Sequence, residues 1–348
     1  MNSKVMLGIS GGVDSALSAH KLLEQGYDVT AVNCLFYKNE DDTSDAVKDA
    51  RAVAERLGID FRVTDLTAPF MSKVIGNFVD TYVKGGTPNP CIVCNRSLKF
   101  GTMLDEAISE GFDYIATGHY ARIEKDGVTG RYLLKKGLDP QKDQSYVLYC
   151  LNQHQLAHTL FPLGTMTKED VRREALDLGL INASKKDSQD ICFIPDGDYA
   201  AFIERHLNKS FPEGDFVTAD GRVLGRHKGI IRYTVGQRKG LGLALPAPMY
   251  VKEKDTANNR VILSDNESLF TTTLEADNVN LITCDRLDSP IRVKARVRYK
   301  HVEQWATVTQ TDEDRLLVVF DEPQRAIAKG QSVVLYDGDT VVGGGTIL

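Results

Sequence analysis

The hydrophobic pattern divides the chain into a first part where strand and helix patterns alternate and a second built of short strands. Val5, Met6, Leu7 and Ile9 form an apolar run of buried-strand type, which breaks at Ser10-Gly11-Gly12. Ala16, Leu17, Ala19, Leu22 and Leu23 then recur at helical spacing. Residues 29–36 predict a second strand. Ala46, Ala50, Val53, Ala54 and Leu57 give the stripe of a second helix, which the charged stretch 39–45 introduces and Gly58 closes. Residues 59–63 read as a third strand, 69–84 as a helix, 85–95 as a loop, 100–111 as a helix and 113–119 as a strand ending in a Gly-His turn. Residues 153–180 read as helical connectors, with the capping-box pattern Thr167-Lys-Glu-Asp170. Such alternation implies a parallel sheet with right-handed crossovers and ligands at the carboxyl ends of its strands. Residues 10–15, 36–37 and 118–119 all fall at such ends.

Beyond about residue 205 the texture changes. Short alternating runs at 214–217, 230–234, 249–252 and 260–263 replace the helices, and the pattern continues at 291–299, 306–310, 316–320 and 332–336. The expected architecture is an α/β catalytic domain over 1–205, a small β-rich central domain over 206–272 and a C-terminal β-barrel over 273–348.

Composition narrows the class. The 348 residues are 42% apolar and 26% charged, as in ordinary globular proteins of more than one domain. There is no signal pattern and no apolar run of membrane-spanning length, so no membrane association is expected. Six scattered cysteines then point to a reducing compartment, the cytoplasm. The net charge of −6 means that any contact with a polyanion must use locally gathered basic groups. Two such groups exist. Along 291–300, Arg292, Lys294, Arg296, Arg298 and Lys300 alternate with Ile291, Val293, Ala295, Val297 and Tyr299. Same-face neighbours on a strand lie ~6.5–7 Å apart, close to the spacing of phosphates in a nucleic acid. The alternative is a solvated strand face with acidic cross-strand partners. The second group, Arg226, Lys228, Arg232, Arg238 and Lys239, lies in the central module. Together they favour a nucleic-acid partner.

The sharpest chemistry is Ser10-Gly-Gly-Val-Asp-Ser15, between a strand and a helix. Glycines let backbone N–H groups approach a ligand, and the helix N-terminus favours an anion. Ser10 and Ser15 add hydroxyl donors, whereas Asp14 suits a phosphate site only if a metal cation bridges them. No lysine follows the glycines, which excludes the Gly-x4-Gly-Lys-Ser/Thr loop. The string resembles the pyrophosphate loop, or PP-loop, of ATP pyrophosphatases. Cys91 and Cys94 form a C-x-x-C unit followed by Asn95-Arg96. With helical periodicity returning near Ser97, Cys94 is expected near a helix N-terminus, its thiol pKa lowered there and by Arg96. A structural zinc site would need a second pair, which the sequence lacks. On its own pattern Cys192 is as readily a core cysteine as a reactive one; Cys34, Cys150 and Cys284 read as packing residues.

Four motifs occur in order: the PP-loop string, Thr87-Pro-Asn-Pro-x-x-x-Cys-Asn95, Ala116-Thr-Gly-His-Tyr-Ala-Arg122 and Ser188-Gln-Asp-Ile-Cys-Phe-Ile194. With 233–240 they resemble the tRNA-specific 2-thiouridylase family over essentially the whole chain. The resemblance implies an adenine nucleotide alpha hydrolase-like first domain that binds ATP through Gly8, Ile9, Ser10, Gly11, Gly12, Val13, Asp14, Ser15, Tyr37 and Gly118, with Mg²⁺ near Asp14. It implies that the wobble uridine of tRNAs for Lys, Glu and Gln enters beside Asn89, Pro90 and Cys91 and is adenylated at its C2 oxygen. Cys192 would carry persulfide sulfur from a cysteine desulfurase or relay protein, and Cys94 would assist, releasing that sulfur or forming a Cys94–Cys192 disulfide. His119, Lys142, Asp143, Gln144, Arg298, Tyr299 and Gln331 match positions that touch tRNA. One departure stands out: Cys91 replaces an Asp common at that place, and a thiol of pKa ~8.5 is no substitute for a carboxylate of ~3.9. A [4Fe–4S] cluster on Cys91, Cys94 and Cys192 with one open iron is the alternative sulfur carrier. GMP- or NAD-synthetase-like enzymes need neither paired cysteines nor a basic barrel. An RNA-binding protein with a vestigial nucleotide site would not need Ser10, Asp14 and Ser15.

Overall fold

The computed structural model describes residues 2–37, 43–180 and 191–348. Ser188, Gln189 and Asp190 of the last motif, and most of the charged stretch before the second helix, lie outside them. The first domain is built on β1 (Lys4–Gly8), β2 (Asp28–Leu35), β3 (Asp60–Asp65) and β4 (Tyr114–Ala116). A hairpin of β5 (Ala121–Lys125) and β6 (Tyr132–Lys136) follows, then the two-residue β7 (Thr159–Leu160). The five-stranded sheet runs β3-β2-β1-β4-β7, and all its pairings are parallel. β1 registers Lys4 on Asp28 and Val5 on Tyr114, so its carboxyl end opens between β2 and β4, where the strand order reverses. Helix α1 (Val13–Glu24) and helix α2 (Thr43–Leu57) cover one side. Val13, Ala16, Leu17, Ala50, Val53 and Ala54 share a buried cluster there.

The central domain is a four-stranded sheet of β8 (Gly214–Thr218), β9 (Val223–His227), β10 (Tyr250–Asp255) and β11 (Arg260–Ser264), ordered β10-β11-β8-β9. The strand expected at 230–234 is absent: Ile230–Arg232 is a single 3₁₀ turn, entered through Gly229 at φ +107°, and both isoleucines are buried by it. The helix Tyr199–Leu207 crosses residue 205 and joins the first two domains, its Ala200, Phe202 and Ile203 sharing a core with Phe78 and Phe193 on one side and Phe216 and Ile231 on the other.

The third domain has β12 (Phe270–Leu281), β13 (Ile291–Arg296), β14 (Gln304–Asp312), β15 (Arg315–Arg325), β16 (Ser332–Asp337) and β17 (Thr340–Ile347). Pairing of β12 with β17 closes them into a barrel, and the β5–β6 hairpin of the first domain adds to β17 through Thr340 and Lys135. The barrel is seated on the first domain by a shared apolar core of Tyr146, Leu148 and Tyr149 with Val334, Tyr336 and Val341. The Tyr146 hydroxyl donates to the Ser332 carbonyl at 2.8 Å, and the Asn280 amide donates to the carbonyls of Tyr149 and Leu151.

Candidate active site

The PP-loop leaves β1 with the Ile9 N–H on the Val32 carbonyl and the Ile9 carbonyl held by the Asn33 amide at 2.7 Å. Gly11 adopts φ +74°, and a Cβ there would lie 2.8 Å from that of Asp49, so the turn requires glycine for both backbone and space. Gly12 caps α1 without any side-chain hydrogen bond, which leaves the helix N-terminus open to an anion. The Ser15 hydroxyl donates to the Gly12 carbonyl and accepts from the Ser10 N–H, fixing both serines at the mouth. Gly118 closes the other wall, where an added Cβ would meet the Asp14 backbone at 3.0 Å. Residues Gly8 to Ser15 and Gly118 are thus together.

Asp14 is held by groups of the chain itself. Both its carboxylate oxygens accept from the Lys168 ammonium, at 2.7 and 2.8 Å, and one accepts from the Tyr120 hydroxyl at 2.7 Å. Lys168 is 5% exposed. Lys168 thus places a positive charge beside Asp14 from within the chain. The sequence signal for this lysine was its place at the start of the Lys168–Asp177 helix, capped by Thr167; nothing local ties it to a loop 154 residues away. Lys168 also lines an open depression of about 600 Å³ with Lys142 and Arg172.

The thiols lie at the same end of the sheet. The segment expected to be loop until residue 95 is already helical at Pro90, because the Asn89 side chain accepts from the Cys91 N–H and proline suits the first turn. Helical segments Pro90–Cys94, Asn95–Thr102 (a π-helix) and Met103–Ser109 run on without a break. Cys94 therefore sits a turn inside the helix, in the core shared with Phe193, and burial pushes its thiol up to about 11. This overturns the expected lowering. Arg96 is not among the main influences on it; its charge acts on Cys150. Cys91 and Cys192 reach solvent, yet the protein packed around them raises both thiols as well. Cys192 adds to the rise at Cys94, and Cys91 adds to it at both Cys94 and Cys192, so the three thiols share one region, although among the described residues their sulfurs do not gather within 4.8 Å as a ligand set. All the cysteines are free.

Cys192 is positioned by the residue after it. The Phe193 ring packs 5.6 Å from that of Phe70, 5.3 Å from Phe78, 5.2 Å from Phe202 and 6.4 Å from Tyr37. Tyr37, at the end of β2, thereby links the nucleotide side to the thiol side. Lys99 is a second residue that sequence reasoning missed. Its ammonium is the cation that opposes the rise at Cys91, Cys94 and Cys192, and it helps hold His119 neutral.

Other expected contact residues are engaged internally. His119 is buried between Phe100 and Phe161, its Nδ1 2.7 Å from the Thr117 hydroxyl, and burial depresses its pKa well below the usual imidazole value. The buried Asp143 carboxylate accepts from the N–H groups of Gly137 and Ser145, and Gln144 accepts from the Tyr120 N–H. The Gln331 amide donates to the carbonyls of Thr87 (2.8 Å) and Pro88 (3.3 Å), while the Thr87 N–H donates to the Lys329 carbonyl. From the central domain, Lys254 donates to the Gly86 carbonyl at 3.2 Å. All three domains thus hold the loop that leads into Asn89, Pro90 and Cys91. Arg298 donates to the carbonyls of Val235 and Ala326, and the Tyr299 hydroxyl to that of Asp143.

The five-residue basic stripe is not a strand face. β13 ends at Arg296, leaving Arg298 and Lys300 in the following turn. Arg292 pairs with Asp321 across the barrel and Arg296 with Glu303 at 2.8 Å, the acidic partners that close-set cations on a sheet require. In the central cluster Arg226 pairs with Asp215 and Arg232 with Glu204.

Among known proteins, the tRNA-specific 2-thiouridylase MnmA of Clostridioides difficile (strain 630) is 50% identical over 100% of this chain and 98% of its own length. That of Acetivibrio thermocellus is 51% identical over 99% of each chain. This chain belongs to the tRNA-specific 2-thiouridylase MnmA family. Within this MnmA-family chain, residues 3–196 match a family described as tRNA methyl transferase HUP domain. Residues 200–265 match the tRNA methyl transferase PRC-barrel domain, and 271–347 the aminomethyltransferase beta-barrel domain. A solved 4-thiouridine synthetase–RNA complex with bound ATP is similar over 59% of this chain and 50% of that one, at 18% identity and a TM-score of 0.40. No helix among the described residues is long and apolar enough to cross a membrane.

Proposed function

We propose that this protein is a tRNA-uridine 2-sulfurtransferase that makes 2-thiouridine at the wobble position of tRNAs for Lys, Glu and Gln, with residues 1–205 catalytic and 206–272 and 273–348 contacting tRNA. The observation that carries this reading is the core in which Cys94 packs with Phe193, the neighbour of Cys192, and with Tyr37 just beyond β2, at the sheet end that also bears the PP-loop. ATP enters as its magnesium complex, the metal being part of the substrate. The α1 N-terminus, Ser10, Ser15 and Lys168 receive the β- and γ-phosphates. Attack of the uridine C2 oxygen on the α-phosphorus then expels pyrophosphate, whose charge those groups stabilise. A persulfide on Cys192, loaded by a cysteine desulfurase or relay protein of the cytoplasm, attacks C2 and AMP leaves. Cys94 then attacks the Cys192 sulfur, which leaves the terminal sulfur on C2 and a Cys94–Cys192 disulfide. Asn89, Pro90 and Cys91 border the base.

Cys192→Ser separates the two halves of the reaction. It is expected to retain tRNA-dependent pyrophosphate release and to form no 2-thiouridine; thiolation at the normal rate would refute the role of Cys192. A second reading keeps the reaction and changes the sulfur carrier. Cys91 and Cys94, one helical turn apart on Pro90–Cys94, together with Cys192 are the ligand type that a [4Fe–4S] cluster with an open iron would need in order to supply sulfide, although among the described residues their sulfurs are not gathered within 4.8 Å. Anaerobic reconstitution without cluster absorbance, together with full activity in Cys91→Ala, would remove it.

A further inference from the structure

The barrel carries the chain's one tryptophan, and it is not packed away. Trp305, near the start of β14, is 48% exposed and pairs across the sheet with Lys294 of β13. The Lys294 ammonium lies 5.5 Å and the Arg292 guanidinium 5.3 Å from its ring centroid. Arg292 is neutralised by Asp321, but Lys294 and Lys300 make no ion pair with the described residues. Val302, in the turn between the two strands, is 78% exposed, and Tyr299 in the same turn is 37% exposed. Tyr299 connects this strip to the first domain, since its hydroxyl donates to the Asp143 carbonyl.

A large amphipathic ring left in water beside the Lys294 ammonium, which has no ion-pair partner among the described residues, is a poor arrangement for an isolated barrel. It suits a single-stranded nucleic acid, whose bases stack on aromatic faces while lysines meet its phosphates. A protein partner is the less suitable occupant, because the strip is dominated by unpaired cations with only scattered apolar residues around the indole. We propose that Trp305, with Lys294 beside it, is a stacking platform for an unpaired nucleotide of the RNA substrate other than the one that reacts. The inference rests on the tRNA reading above.

Because the protein has one tryptophan, all indole emission reports this residue. Titrating unmodified tRNA into the full chain, with excitation selective for tryptophan, is expected to quench that emission and reduce its access to acrylamide. Trp305→Ala should weaken tRNA binding about tenfold or more, Trp305→Phe should retain most of it, and ATP binding should be unchanged in both. Unaltered emission and acrylamide access at saturating tRNA would overturn the platform while leaving tRNA binding intact, as would normal affinity in Trp305→Ala. Shielding by a sulfur-donor protein instead of by tRNA would also overturn it. Absence of tRNA binding by the parent protein, measured by a method independent of fluorescence, would bring down the tRNA reading itself.

Discussion

At the scale of single residues, the account turns on two lysines. Lys168 neutralises Asp14 in the first turn of α1, and in the proposed reaction it stabilises the departing pyrophosphate there. Lys168→Met is expected to lower tRNA-dependent pyrophosphate release by about 100-fold with tRNA affinity unchanged; a normal rate of release would exclude the role. Lys99 moderates the thiols, which burial dominates. Burial disfavours the Cys94 thiolate, so its protonated form persists to high pH and its anion grows as pH rises towards about 11. Alkylation of Cys94, followed by mass-resolved peptide analysis, should therefore accelerate about tenfold per pH unit through neutrality and level off near pH 11. In Lys99→Met the plateau should move higher still. A plateau below pH 8 would restore the lowered thiol that the sequence suggested. The serines, glycines and cysteines themselves were legible, because their chemistry is written in contiguous strings. The lysines were not, since each acts through a fold contact that no local spacing records.

At the scale of elements, the misread stretch is instructive. Gly85, Gly86, Pro88 and Pro90 look like loop, yet Asn89 and Pro90 are a cap and a first helical residue, and the helix they start places Cys91 at its mouth and Cys94 inside. Asn89→Ala should cost about 1 kcal/mol of local helix stability, seen as faster amide exchange over 91–94, and slow thiolation without affecting ATP binding. Asn89→Ser should restore both, and unchanged exchange in the alanine variant would contradict the cap. Long alternating segments such as β2 and β14 were legible from periodicity. The two-residue β7, buried on its neighbours, and the 3₁₀ turn at Ile230 were not, because burial against other elements decides them and local pattern does not.

At the scale of the whole molecule, the three domains meet on one loop. Gln331 and Lys329 from the barrel and Lys254 from the central domain hold the backbone of Gly86, Thr87 and Pro88, immediately before the thiol helix. The central and barrel domains are thus mechanically continuous with the loop that leads into the cysteines, and Gln331 is engaged within the chain itself for that reason. The order of domains was legible in the change of texture near residue 205. The docking was not, because it depends on cores such as Tyr146 with Tyr336 that join distant segments. The central claim is that ATP cleavage at the PP-loop and sulfur transfer at the thiols are one coupled reaction on tRNA. The most direct test measures pyrophosphate released and 2-thiouridine formed, by nucleoside mass analysis, in the same incubation with tRNA, magnesium ATP and a persulfide source. Equal amounts of the two, both absent without tRNA, are predicted; pyrophosphate release that is independent of tRNA and yields no thionucleoside would contradict the account.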